Sequence, residues 1–169
     1  MKHYSMTILA GALFCVGGVR AQNARFAEGA QAYASIKNNL IQMAEKMPEE
    51  NYAFKPTPEI RSFGELVAHV AEAQGAICGA VSGQKKPANP AAGAGKAELV
   101  SALKESASFC QAAWDSLPDS AATDMVKVFQ TQRSKLGVLM MNTIHDNEEY
   151  GYMSVYLRLK GIVPPSSAK

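Results

Sequence analysis

Two histidines and one glutamate are the residues whose types and spacing could do chemistry in this chain. His145 and Glu149 are four residues apart, so on a helix their side chains share one face. His69 lies in a run whose apolar residues recur at helical spacing, and it is therefore expected to face the core. Side chains from two helices can converge as metal ligands inside a bundle. Two imidazoles and one carboxylate suit zinc with an open fourth position, or ferrous iron.

A purely structural role is the alternative for the same three residues. A core histidine commonly serves only as a hydrogen-bonding residue, and a His–Glu pair at this spacing commonly lies on the surface. The sequence contains no Ser-His-Asp arrangement with a supporting motif, no glycine-rich phosphate loop and no basic-aromatic patch. A metal site is therefore the chemical hypothesis, and no catalytic residue is assigned beyond it.

Four helical segments must position these residues. Apolar residues recur every three or four positions over 23–47, 63–81, 96–117 and 134–160. Ser62 and Glu65 form a capping-box pattern at the start of the second segment, and Gly161 is placed to end the fourth. Residues 125–129 alternate enough for a short extended piece, but no sheet is indicated. The sequence predicts an all-α four-helix bundle, with 82–95 as a long crossover connection between helices 2 and 3.

The composition and the N-terminus indicate one exported domain. The 169 residues are 47% hydrophobic and 19% charged, which favours a packed core over disorder. Residues 1–21 have a short basic start, a charge-free apolar stretch at 6–19 and Val-Arg-Ala at 19–21, the pattern of a cleaved secretory signal. An uncleaved anchor is the alternative, although the apolar stretch is short for a membrane span of ~20 residues. We therefore expect a mature domain over 22–169, periplasmic or secreted.

Cleavage would leave a neutral domain with two cysteines. The leader removes two basic and no acidic side chains, so 15 of each sign remain. This balance argues against nucleic acid or an anionic membrane as a partner. Export would expose Cys78 and Cys110 to oxidation, which makes the pair a disulfide candidate. Two buried thiols on separate helices are the alternative.

Two blocks of the sequence resemble the DinB family of DinB/YfiT-like metalloenzymes. The first is NYAFKPTPEIRSFGELVAH at 51–69, and the second is HDNEEYG at 145–151 followed by VYLRLKGIVPPSS at 155–167. The resemblance extends over 26–167. It implies a four-helix bundle that binds one divalent metal ion, such as zinc, iron, nickel or manganese. One ligand histidine comes from helix 2, and two, spaced H-x-x-x-H, come from helix 4.

The family ligands fall on His69, His145 and Glu149 of this chain, and the last is a departure because the family pattern has histidine there. Asn142 and Glu148, near His145 on the same helix, are candidates to orient the ligands or are solvated surface residues.

The resemblance also bears on activity and partners. Characterised relatives are metal-dependent thiol transferases and isomerases that use low-molecular-weight thiols. It therefore implies a small-molecule substrate, such as a thiol. A metal ion in the site would activate a thiol or a water molecule as a nucleophile, so we expect a metal-dependent thiol transferase or hydrolase if the protein is an enzyme. The neutral charge of the mature domain argues against a nucleic-acid partner, and a homodimer is one open oligomeric state. The competing function is a non-catalytic bundle that binds a small molecule or a partner and has lost its metal.

The leader predicts a mature N-terminus at Gln22. The intact mass of protein recovered from the periplasm or medium should therefore lack residues 1–21. Protein that stays in the membrane with Met1 retained would show that the leader is an anchor.

Overall fold

Long helices account for most of the part of the chain that the structure describes. The structure is a computed structural model and describes residues 24–168, so the predicted leader and its cleavage site lie outside it. In chain order the elements are α1 (Ala24–Lys46), α2 (Phe63–Ser82), α3 (Lys96–Ser116), β1 (Met125–Val128), β2 (Thr131–Ser134) and α4 (Lys135–Leu159). Within 24–168, no helix is both long enough and apolar enough to cross a membrane.

Local capping chemistry sets the ends of α2 and α4. The Ser62 hydroxyl accepts a hydrogen bond from the Glu65 amide, and the Glu65 carboxylate accepts one from the Ser62 amide. This reciprocal pair satisfies amides that the first helical turn leaves free. After α4, the chain turns at Gly161, whose φ of 73° lies in the left-handed region that favours glycine. Both helix ends were predicted from the sequence.

The helices form a bundle in which α1 and α2 each pack against α3 and α4. The pairs Gln74–Ser106 and Cys78–Cys110 advance together along α2 and α3, so these two helices are parallel. The 83–95 connection must therefore travel the length of the bundle, which confirms the predicted crossover. By contrast, α2 and α4 are antiparallel.

A disulfide joins the two parallel helices. Cys78 and Cys110 are fully buried and bonded, with their Cα atoms 5.2 Å apart. The candidate pairing is confirmed, and the alternative of two separate thiols is wrong. A bridge that closes a loop of this sequence separation, 32 residues, restricts the unfolded chain enough to stabilise the fold by roughly 3–4 kcal/mol.

A small β-hairpin precedes α4, and the expectation that the chain has no sheet is wrong on this point. The extended piece near 125–129 is confirmed as β1, which pairs antiparallel with β2. The β2 sequence, Thr-Gln-Arg-Ser, is polar and almost wholly exposed. It therefore lacks the apolar alternation that marks a half-buried strand, and pairing with β1 is what makes it a strand.

One buried glycine allows α1 and α3 to approach closely. A Cβ atom at Gly29 would overlap the indole ring of Trp114, which is itself buried. We expect Gly29→Ala to lower the free energy of unfolding by about 1–3 kcal/mol, because the core cannot absorb the overlap. The measurement is urea denaturation followed by circular dichroism.

Gly151→Ala is the matched control for that substitution. Gly151 is exposed within α4, and a Cβ atom there would meet nothing within 4 Å. The alanine variant should be more stable by up to about 1 kcal/mol, because alanine has the higher helix propensity. Equal destabilisation of both variants would contradict the close contact between α1 and α3.

Candidate metal centre

The antiparallel packing of α2 and α4 brings His69, His145 and Glu149 together. The Nε2 atoms of the two histidines are 3.2 Å apart. The Glu149 Oε1 atom lies 3.6 Å from Nε2 of His69 and 3.7 Å from Nε2 of His145. The three residues predicted from the sequence therefore form one cluster that could hold a metal ion.

The spacing of the three donor atoms fits a small divalent cation. For these separations a single point lies about 2.0 Å from all three atoms, which is the usual length of a zinc bond to imidazole nitrogen or carboxylate oxygen. The two imidazoles remain partly accessible, whereas Glu149 is buried. The cluster thus offers three protein ligands and an approach from solvent.

The two histidines are held in different electrostatic environments. Burial lowers the pKa of His69, and the positive charges of Arg61 and His145 lower it further. Interaction with the Asp146 carboxylate raises the pKa of His145, although burial opposes this. At 3.2 Å the two Nε2 atoms lie within hydrogen-bond distance, so a proton on either imidazole can lie between them, and a metal cation would take its place.

Glu149 lies inside the cluster and does not turn to solvent. Burial raises the pKa of its carboxyl, and the nearby positive charges of His145 and Arg61 oppose that rise. The Oε2 atom is buried without a hydrogen-bond partner in the described part of the chain. Leaving a buried carboxylate oxygen unpaired costs free energy, and a coordinated cation would remove that cost.

A buried hydrogen-bond network lies behind His145, and it was not predicted from the sequence. Asp146 is fully buried, and its Oδ2 atom accepts hydrogen bonds from Gln74 and Asn142, each at 3.0 Å. Gln74 in turn accepts one from Ser106 at 2.8 Å. The other Asp146 oxygen lies 3.7 Å from Nδ1 of His145, and neither atom has a hydrogen-bond partner within 24–168. A carboxylate behind the far nitrogen of a ligand histidine orients the ring and selects its tautomer.

The only sequence signal for this network is a polar residue at a position of α2 where the helical spacing predicts an apolar one. Gln74 lies four residues after Val70 and four before Cys78, on the buried face of α2. A polar side chain on such a face needs a partner. The sequence does not reveal which residue of another helix supplies it.

The two candidate orienting residues have different surroundings. Asn142 is buried and donates to Asp146, so it supports the site from behind rather than touching a histidine. Glu148 is exposed and accepts a hydrogen bond from Tyr152 at 2.8 Å. Glu148 therefore acts on His145 through its charge, which contributes to raising the pKa of that imidazole.

The cluster borders an open cleft of about 940 Å³. Its walls are the linker between α1 and α2, the N-terminal half of α2 and the 90–95 part of the crossover connection. His69 is the cluster residue that lines this cleft. A molecule in the cleft would therefore reach the cluster from the α2 side.

The sequence model of the DinB superfamily matches residues 32–153, which include all three cluster residues. This chain belongs to the DinB superfamily. The superfamily accounts for the four-helix architecture, within which this chain has a glutamate at position 149. No curated protein sequence matches the chain at a significant level.

Two solved structures of DinB-like proteins have a similar fold. One is a DinB-like protein from Bacillus cereus ATCC 10987, with a TM-score of 0.70 and 16% sequence identity over 82% of this chain and 95% of that protein. The other is the DinB-like protein YjoA from Bacillus subtilis, with a TM-score of 0.65 and 18% identity over 79% and 92% of the two chains. At these identities the likeness shows the shared fold alone.

Proposed function

We propose that this DinB-superfamily protein is an exported metalloprotein with one divalent metal ion bound by His69, His145 and Glu149. The observation that carries the proposal is the convergence of three donor atoms at separations that suit one metal ion. The buried and unpaired Oε2 atom of Glu149 supports it, because a cation would compensate that carboxylate.

The donor set narrows the choice of metal. A carboxylate in place of a third imidazole lowers the net charge of the site by one and makes the ligand set harder. This favours zinc, iron or manganese over softer metals, with nickel also compatible with imidazole ligands. Asp146 would hold the His145 ring with Nε2 facing the metal.

The proposed activity is that of a metal-dependent thiol transferase or hydrolase acting on a small molecule. A bound divalent metal would lower the pKa of a thiol or water in the open position, which produces a nucleophile at neutral pH. The chain's own contribution is to hold three ligands on two helices and to leave His69 facing the cleft. The buried disulfide supports export, because such bonds persist in oxidising compartments.

Metal analysis tests the proposal directly. Protein purified without an affinity tag should contain close to one equivalent of a transition metal, or take it up when soaked with zinc, iron, nickel or manganese. Less than about a tenth of an equivalent after soaking would contradict the metal site and favour a non-catalytic binding bundle.

Glu149→Ala should weaken zinc binding by at least about tenfold, or roughly 1.4 kcal/mol, because one of three ligands is lost. Glu149→His should retain binding with an altered preference among metals. Titration of the metal-free variants with zinc and ferrous iron measures both effects. Glu148→Ala is the matched control, since Glu148 is an exposed carboxylate on the same helix that acts on His145 only through its charge, and the zinc affinity of this variant should fall by much less than tenfold. Unchanged affinity in Glu149→Ala would mean that Glu149 is not a ligand.

Asp146→Asn should weaken zinc binding by about 10–100-fold, because the neutral amide holds the His145 tautomer less firmly. Nitrogen NMR of the imidazole should show a change in the tautomer balance of His145, and thermal melts would report any loss of stability. An unchanged tautomer together with unchanged affinity would contradict the orienting role of Asp146.

A further inference from the structure

The cleft beside His69 is lined by both small and charged residues. Gly64 and Ala68 of α2 line it together with His69, so a ligand can lie against the helix and reach the metal cluster. Polar groups at a few fixed points determine orientation and specificity in such clefts. The charged side chains that line the cleft therefore indicate which ligand it would accept.

Arg61 is the charged residue best placed for this role. It lines the same cleft as His69, and its backbone carbonyl accepts a 2.6 Å hydrogen bond from the Tyr156 hydroxyl of α4. The next residue, Ser62, caps α2. The backbone of Arg61 is thus fixed to both helices that carry the cluster. Among the described residues, no carboxylate pairs with the Arg61 guanidinium.

The two lysines that line the cleft already have ion-pair or hydrogen-bond partners. Lys55 forms an ion pair with Glu65 at 3.0 Å. The Lys96 ammonium donates to the backbone carbonyls of Glu45 and Met47, each at 2.8 Å. Arg61 therefore remains as the cation of the cleft that can meet a ligand without breaking a contact.

The positive charge of Arg61 shifts the pKa values of two residues in the metal cluster. Burial has the largest effect in lowering the pKa of His69, and the charge of Arg61 has the second largest. Burial raises the pKa of Glu149, and the positive charges of His145 and Arg61 lower it. Glu72 lines the cleft one turn beyond His69 and carries the opposite charge. At Glu149, the negative charges of Glu148 and Asp146 act against the charge of Arg61.

We infer that the cleft binds an anionic small molecule whose carboxylate or other oxoanion pairs with Arg61 while a second donor atom of the molecule fills the open position of the metal. The planar guanidinium can hold a carboxylate through two parallel hydrogen bonds. This inference rests on the metal site proposed above. It adds the anionic character of the ligand and the residue that recognises it.

Three thiols of similar length and different charge provide the test. The purified protein is loaded with cobalt(II), and the absorption band of the cobalt–thiolate bond is titrated with 3-mercaptopropionate, 2-mercaptoethanol and cysteamine. The anionic thiol should bind at least about tenfold more tightly than the neutral thiol, and the cationic thiol should bind most weakly.

Arg61→Ala should abolish the difference in affinity between 3-mercaptopropionate and 2-mercaptoethanol. The substitution retains the backbone carbonyl that Tyr156 contacts, so the fold is maintained. Arg133→Ala is the matched control, because it removes the same charge from an exposed position on the hairpin and should retain the preference.

The outcomes separate the two proposals. Cobalt binding without a charge preference, a preference for cysteamine, or a preference that survives Arg61→Ala would overturn the inference and leave the metal site intact. If cobalt does not bind at all, the metal site fails, and the inference fails with it.

Discussion

The antiparallel contact between α2 and α4 is the interaction on which the candidate site depends. It places one imidazole from each helix with their Nε2 atoms 3.2 Å apart, next to a buried carboxylate. Two nitrogen lone pairs at that distance repel each other unless a proton or a cation lies between them. A proton on either Nε2 atom or a bound cation removes that repulsion, and the rest of the bundle must hold the helices against the desolvation that this cluster costs.

A second layer of buried polar residues joins α2, α3 and α4 and helps to hold the helices together around the cluster. Ser106 of α3, Gln74 of α2 and Asp146 of α4 form a continuous series of buried hydrogen bonds. The Cys78–Cys110 disulfide lies one helical turn further along both α2 and α3. The same two helices are thus linked covalently and by a hydrogen bond at adjacent turns. A buried network of this kind specifies a single register, because any slip leaves its members unpaired.

Glu149 stands where the family resemblance implies a histidine, and it adds a negative charge to the site. Glu149 projects from the same turn of α4 that a histidine would occupy, and its carboxylate faces both imidazoles. The positive charges of His145 and Arg61 both favour the ionised form of this carboxylate. These positive groups thus offset part of the cost of burying a charged ligand.

Much of the fold and the three cluster residues could be predicted from the sequence, because helices, caps and ligand spacing are local properties. Ser62, Glu65 and Gly161 mark helix ends through contacts within a few residues, and the separation of His145 and Glu149 places them on one face. The role of Asp146, the strand character of β2 and the position of Arg61 beside His69 depend on residues distant in sequence. These features needed the tertiary structure, because a polar residue shows its partner only when another segment packs against it.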